Sequence, residues 1–90
     1  MKLQQIKYLL AIVDNSLNIS TAANRMHTSQ PGISKQLKLL EEELGIQLFT
    51  REGKSLSSIT TEGLKVIERA RVILKEVENI KSIALDYNKE

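Results

Sequence analysis

Apolar residues in the first half of the chain recur every three or four positions, which is the spacing of one face of an α-helix. Residues 3–14 are predicted to form the first helix, and the pair Asn15-Ser16 is predicted to end it. The apolar stripe of this helix comprises Leu3, Ile6, Leu10 and Val13, widened by Tyr8, Leu9 and Ile12. A stripe of this width predicts that one whole face is buried.

A short second helix is predicted over residues 21–26, with Ser20 as its N-cap. Ala23 has a small side chain and stands where this helix must approach the next one closely. The connection at His27-Thr28 is too short for anything but a sharp helix-turn-helix crossing. His27 occupies the turn position that often holds glycine, so a left-handed backbone is expected there.

The third predicted helix follows the N-cap Ser29 and runs to Leu44, where Gly45 supplies a left-handed C-terminal cap. Pro31 lies in its first turn, where a missing N–H group costs nothing. The buried stripe is predicted to consist of Ile33, Leu37, Leu40 and Leu44, and the opposite face of Pro31, Lys35, Lys38 and Glu42, flanked by Gln30 and Ser34. The predicted core consists of Ile6, Leu10, Ala23, Ile33, Leu37 and Leu40.

The helical period fails over residues 48–59, which changes the predicted structure of this segment. Glu52-Gly53-Lys54 is a turn signal between two short extended stretches, and it predicts a β-hairpin. The chain is therefore expected to be mainly α, in the order helix, helix, turn, helix, hairpin and long helix.

The last predicted helix covers residues 60–88, with Thr60 as its N-cap and Glu62 placed favourably against the helix dipole. Its apolar seam of period 3.5 comprises Val66, Ala70, Ile73, Val77, Ile80, Ala84 and Tyr87, and a second strip, predicted to pack on the same chain, comprises Leu64, Ile67 and Leu74. At about 1.5 Å per residue the helix is roughly 40 Å long, more than so small a domain can cover. The seam therefore indicates a partner, against the alternative of a single long core helix.

Composition excludes several classes of protein. The 90 residues carry a net charge of +2, no cysteine and one histidine. Disulfides and thiolate metal sites are thereby excluded, and no catalytic triad, paired acid site or glycine-rich phosphate loop is present. No apolar run reaches the roughly 18 residues that span a bilayer. A cytoplasmic protein that is not an enzyme, binds no metal and needs no cofactor is expected.

The distribution of charge indicates a nucleic-acid partner. Residues 15–40 contain no acid but contain Arg25, Lys35 and Lys38. In helix-turn-helix proteins the second helix reaches base edges with its N-terminal residues, and here these include Gln30, whose amide suits adenine, and Ser34. The candidate DNA-binding residues are Thr21, Thr28, Ser29, Gln30, Pro31, Ser34, Lys35 and Lys38. The alternative is that they are ordinary solvated side chains beside a helix cap.

The segment "AANRMHTSQPGISKQLKLLEEELGIQLFTR" closely resembles the signature of LysR-type transcriptional regulators, and "TTEGLKVI" resembles the start of their linker helix. The resemblance implies a winged helix-turn-helix DNA-binding domain over residues 1–59, with three helices and a hairpin wing, and a linker helix for dimerisation over residues 60–90. It makes Arg51 and Lys54 candidate contacts of the wing, with bracing of the fold as the alternative for Arg51. The opening segment looks most like the CysB-like branch, which regulates sulfur assimilation.

The resemblance also implies the partners. These are double-stranded promoter DNA, a second copy of the chain, a tetramer of the intact protein, and RNA polymerase. A small-molecule effector would bind only through a C-terminal domain that this sequence does not contain. A second interpretation stays open, in which the long helix forms a coiled-coil interaction module and the winged domain is only a spacer.

Overall fold

Residues 1–89, which the computed structural model describes, form four helices and a two-stranded antiparallel sheet. In chain order the elements are α1 Leu3–Asp14, α2 Ile19–Arg25, α3 Gln30–Leu44, β1 Phe49–Glu52, β2 Ser55–Ile59 and α4 Thr61–Tyr87. This order confirms the predicted mainly α fold with a hairpin before a long last helix. None of the helices within residues 1–89 is both long enough and apolar enough to cross a bilayer.

One core holds the first three helices, the hairpin and the first half of α4 together. Its buried side chains are Ile6, Leu9, Leu10, Ile12, Ile19, Ala22, Ala23, Ile33, Leu37, Leu40, Leu48, Phe49, Leu56, Ile67 and Ala70. All six core residues predicted from the sequence are among them. In α1, however, Leu9 and Ile12 are more deeply buried than predicted and Leu3 is exposed, so the buried face is rotated away from Leu3.

The start of α2 differs from the prediction. Its N-cap is Asn18, whose Oδ1 accepts a hydrogen bond from the Thr21 N–H at 2.9 Å, and Ser20 lies inside the helix. Asparagine and serine cap helices about equally well, so the sequence alone did not distinguish them. Burial of Ile19 in the core favours the earlier start.

Left-handed backbone shapes two of the turns. His27 has φ 56°, which confirms the predicted left-handed turn between α2 and α3. Ser16 and Leu17, with φ 57° and 64°, reverse the chain between α1 and α2, and the sequence analysis did not anticipate this pair. A left-handed residue other than glycine costs roughly 1–2 kcal/mol.

Replacing Ser16 with glycine is therefore expected to stabilise the fold. Ser16 is exposed, and relief of its left-handed strain should raise the free energy of unfolding by up to about 1 kcal/mol, measured by urea denaturation. Ser20→Gly is the matched control, because Ser20 is also exposed but lies in right-handed α2. It should lower that free energy by some tenths of a kcal/mol. Equal changes in both variants would contradict the assignment of strain to Ser16.

A β-bulge in the hairpin decides which side chains face the core. Phe49 pairs with Ile59 and Thr50 with Ser58, but Arg51 pairs with Leu56, so one residue of β2 lacks a partner in the register. The shift brings Leu56 to the inner face, where it is buried. It also places Arg51, as the cross-strand partner of Leu56, on that same inner side.

The start of α4 is fastened to the segment that precedes β1. Thr60 caps the helix by accepting from the Gly63 N–H at 2.9 Å, as predicted, and its hydroxyl donates to the Gln47 carbonyl at 2.6 Å. The Thr60 N–H donates to the Leu48 carbonyl at 3.1 Å. Gly63 is buried against that same carbonyl group, which leaves no room for a side chain.

The predicted division of α4 into a partner seam and an inward strip is partly wrong. Ala70, assigned to the seam, is 1% exposed in the core of its own chain, and Val66 and Val77 are half-buried. Leu64, assigned to the inward strip, is exposed, whereas Ile67 is buried. The two strips lie side by side on the helix, and α4 packs on α1 along the boundary between them. The apolar repeat alone does not determine which residues of α4 face α1.

The last part of α4 extends beyond the domain. The molecule measures 54 × 26 × 21 Å, and its long dimension reflects this helix. The large apolar side chains that remain exposed on α4 are Leu64, Val72, Ile73, Ile80, Ile83, Leu85 and Tyr87. Three of them, Ile73, Ile80 and Tyr87, belong to the predicted seam.

Candidate nucleic-acid interface

Helix α3 is held by its inner face and begins with a well-formed cap. The Ser29 hydroxyl accepts a hydrogen bond from the Gly32 N–H at 3.1 Å, and Pro31 lies in the first turn. Ile33 and Leu37 are buried on the inner face. The helix ends at Gly45, with φ 70°, as the sequence predicted. The opposite face of α3 is therefore presented to solvent in a fixed orientation.

The outward face of α3 carries the polar side chains that the sequence singled out. Gln30, Lys35 and Lys38 are exposed, and Ser34 is half-buried. The Gln30 Nε2 lies 3.4 Å from the Ser34 Oγ, to which it donates. An amide and a hydroxyl placed side by side offer both donors and acceptors, which is what recognition of base edges requires.

A polar depression joins the start of α3 to the hairpin. It is lined by Ser16, Leu17, Asn18, Ile19, Ser20, Gln30, Lys54, Ser55 and Leu56. Gln30 of α3 and Lys54 of the hairpin turn thus border one concave surface, although they are 24 positions apart in the chain. No lining residue is acidic, so the charge of Lys54 is not offset within the depression. Such a surface favours phosphate oxygens.

The hairpin presents its two basic candidates in different directions. Lys54 follows Gly53, whose φ of 61° makes the turn, and is exposed. Arg51 instead donates from Nη2 to the Glu41 Oε1 at 3.0 Å. The structure therefore groups Lys54 with Gln30, and it ties Arg51 to α3 in the bracing arrangement.

Three further candidates, Thr28, Thr21 and Lys38, do not line this depression. Thr28 is half-buried in the turn before α3. Thr21 is half-buried, and its N–H is already bonded to Asn18. Lys38 borders a separate depression together with Glu42 and Gln47.

Sequence reasoning missed several residues of this surface. Ser16, Asn18, Ser20 and Ser55 line the depression but were not candidates. The first three fall within the acid-free segment 15–40, which was the available signal. Their proximity to Lys54 depends on the left-handed reversal after α1, for which the sequence gives no clear sign.

The single histidine has no metal-binding surroundings. His27 is exposed in the turn between α2 and α3. Among residues 1–89, no three His, Cys, Asp or Glu side chains come together in a group that could hold a metal ion.

Comparison with known proteins gives a consistent match. Residues 3–64 match the family described as "Bacterial regulatory helix-turn-helix protein, lysR family". The transcriptional regulator CysB of Haemophilus influenzae is 47% identical over 89 residues, which are 99% of this chain and 28% of the relative. CysB of Burkholderia cenocepacia is 40% identical over 87 residues, covering 97% of this chain and 28% of the relative. The chain thus spans little more than a quarter of the length of these relatives.

The fold also matches solved structures that contain DNA. The crystal structure of the BenM DNA-binding domain in complex with catB site 1 DNA superposes with a TM-score of 0.88 at 31% sequence identity. The match covers 100% of this chain and 99% of that one. The similarity therefore includes the hairpin and the long helix as well as the helix-turn-helix.

Proposed function

Because this chain belongs to the lysR family of bacterial helix-turn-helix regulatory proteins, we propose that residues 1–59 read promoter DNA and that residues 60–90 join two copies of the chain. Such a dimer presents two α3 helices to two half-sites of one duplex. The hairpin serves as the wing beside each helix. The proposal rests on the geometry of the depression that joins α3 to the hairpin.

The observation that carries the proposal is the convergence of Gln30 and Lys54 on one acid-free concave surface. A recognition helix needs a side chain able to read bases, and affinity for DNA comes largely from cations at the phosphates. Here one of each borders the same depression. A winged domain that served only as a spacer would not need a base-reading side chain and a cation on one surface. This arrangement therefore weighs against the interaction-module alternative.

The candidate residues divide into two roles. Gln30 and Ser34 read base edges in the major groove, with Lys35 at guanine or phosphate. Lys54 and the polar residues around the start of α2 and α3 contact phosphates and position the helix. The positioning group comprises Thr21, Thr28, Ser29, Pro31, Lys38 and Lys54. Arg51 acts through Glu41 in the interior.

Dimerisation uses the part of α4 that its own domain leaves uncovered. Ile73, Ile80, Ala84 and Tyr87 remain exposed along the seam, and its other members Val66 and Val77 are half-buried. Contiguous exposed apolar residues on a projecting helix are typical of a surface that a partner covers. A second copy of α4 is the partner proposed here, and Ala70 supports the seam from inside the domain.

The resemblance to CysB supports proposals about the intact regulator. The controlled genes serve sulfur assimilation, and the protein acts in the cytoplasm, where bacterial promoters are found. A C-terminal domain of the intact protein binds the small-molecule effector and completes a tetramer that meets RNA polymerase at the promoter.

Substitution of Gln30 and Lys54 separates reading from positioning. Gln30→Ala should weaken binding to a site selected from a random DNA library by about 1–3 kcal/mol, and relax preference at particular base pairs. Lys54→Ala should weaken binding to selected and scrambled duplexes alike, and reduce the salt slope by about 0.9. Fluorescence anisotropy with both duplexes measures these effects. Equal losses on both duplexes in both variants would contradict the division.

A further inference from the structure

Glu41 is a buried carboxylate between the recognition helix and the wing. It is 5% exposed, in contrast to its neighbours Glu42 and Glu43, which are exposed. Its Oε2 accepts from the Leu48 N–H at 2.8 Å, and its Oε1 accepts from the Arg51 Nη2 at 3.0 Å. A single side chain of α3 therefore holds the backbone just before β1 and a side chain within β1.

The buried carboxylate group is accommodated in this position because both of its oxygens accept hydrogen bonds. Burial of an unpaired charge is strongly unfavourable, so a carboxylate at this depth requires partners. Arg51 supplies the compensating charge, and its side chain is 37% exposed. Removal of either member leaves the other without its ion-pair partner. The pair therefore favours the one arrangement of α3 and β1 in which the two side chains meet.

Leu48 extends the link to the other strand. Its N–H is bonded to Glu41, and its carbonyl accepts from the Thr60 N–H at the end of β2. The first ladder pair, Phe49 with Ile59, lies immediately beyond. Both strands of the wing are thus attached at their base to the backbone of Leu48, and Leu48 is attached to α3 through Glu41.

We propose that Glu41 and Arg51 are positioning residues that fix the wing relative to α3, so that Lys54 and Gln30 engage one duplex at the same time. An isolated two-stranded hairpin is marginal in water, and residues 52–55 at its tip are all exposed. The orientation of the tip therefore depends on attachment at its base. The proposal rests on DNA binding by this chain as proposed above.

Charge provides a control that separates positioning from general electrostatics. Glu41→Gln and Glu42→Gln each remove one negative charge from adjacent positions of α3. If only net charge mattered, both variants would bind DNA equally well or more tightly than the wild type. Positioning instead predicts that Glu41→Gln binds a mixed-sequence duplex about tenfold more weakly, and that Glu42→Gln does not bind more weakly.

A double-mutant cycle tests whether Arg51 acts through Glu41. Arg51→Met should weaken binding as Glu41→Gln does, and the double variant should be no weaker than either alone, because both remove the same link. A direct phosphate contact by Arg51 would give additive losses. If Arg51 contacts a phosphate, Arg51→Met would also lower the salt slope by about 0.9 in the Glu41→Gln background.

The effect of Lys54 provides the readout that a loss of stability would not change. In the wild type, Lys54→Ala should weaken binding to the mixed-sequence duplex. In the Glu41→Gln background it should have little further effect, because the wing tip is no longer held at the DNA. The 90-residue chain is used throughout, and circular dichroism checks that each variant is folded.

The outcomes distinguish this proposal from the proposed function. If the wild type binds the duplex but Glu41→Gln binds as tightly as Glu42→Gln, the positioning role is wrong and DNA binding stands. Additive losses in the cycle would likewise overturn it. If the wild type shows no binding that depends on salt, both proposals fail together. If Glu41→Gln does not fold, Arg51→Met and its combination with Lys54→Ala decide the question by the same criterion.

Discussion

Gly63→Ala is expected to lower the free energy of unfolding by about 2–3 kcal/mol, even though alanine favours helix more than glycine does. A Cβ atom at this position would overlap the backbone carbonyl group of Leu48 and lie 3.0 Å from the Ile59 Cγ2. The Leu48 carbonyl cannot move freely, because it accepts the hydrogen bond from Thr60 that fastens the start of α4. Either α4 or the base of the wing must therefore shift.

Gly32→Ala is the matched control for this prediction. It also adds a Cβ near the start of a helix, but the nearest atom there is the Ser29 Oγ at 2.9 Å, which belongs to a side chain and not to the backbone. Rotation of Ser29 would weaken the cap that it makes to the Gly32 N–H, and the higher helix propensity of alanine, about 1 kcal/mol, offsets that loss. Urea denaturation should show a change of less than about 1 kcal/mol for this variant. A loss at Gly63 no larger than that at Gly32 would mean that α4 does not pack tightly against Leu48.

Ile80→Asp is expected to convert a dimer into folded monomers. Ile80 is 66% exposed in the single chain, so the charge should not disturb the domain itself. In a symmetric dimer the residue occurs twice, and each buried isoleucine contributes about 1.5–3 kcal/mol. Introduction of two charges into that seam should weaken dimerisation by several kcal/mol, as measured by sedimentation. Ile80 is preferred to Val77 because Val77 is half-buried and lines a depression of its own domain together with Leu10 and Ala11.

Leu85→Asp provides the control for the seam. Leu85 is 71% exposed, yet it lies about 140° around the helix from Ile80. Leu85→Asp should therefore leave the dimer intact. A wild-type monomer at tens of micromolar, or equal dissociation in both variants, would remove the seam from the account.

Local chemistry was sufficient to predict most of the fold from the sequence. The caps at Ser29 and Thr60, the left-handed Gly45 and His27, and the turn at Gly53 each depend on residues within a few positions. These features obey short-range rules of backbone geometry, so both boundaries of α3 and the start of α4 were predicted correctly.

Features that depend on distant partners were not predicted. Three consecutive glutamates look solvated, and the burial of Glu41 became evident only when Leu48 and Arg51 were placed beside it. Ala70 fits the heptad repeat as well as Ile73 does, and its burial is decided by the position at which α4 packs on α1.

The site followed the same division. Gln30 was identified by residue type and position and Lys54 through the family resemblance, whereas their meeting at one depression required the folded chain. The serines and asparagine of that depression have no sequence pattern that distinguishes them from other loop residues. Residue type indicates what a side chain can bind, and the fold determines which side chains act together.

Equilibrium titration of the 90-residue chain with DNA over a series of salt concentrations tests the central claim most directly. One duplex carries a site selected by the chain from a random library, and the other carries the same bases scrambled. The logarithm of the association constant should fall linearly with the logarithm of salt concentration, by about 0.9 for each phosphate contact. The selected duplex should bind at least about a thousandfold more tightly. An association constant that does not change with salt, or equal affinity for both duplexes, would contradict sequence-specific DNA binding by this chain.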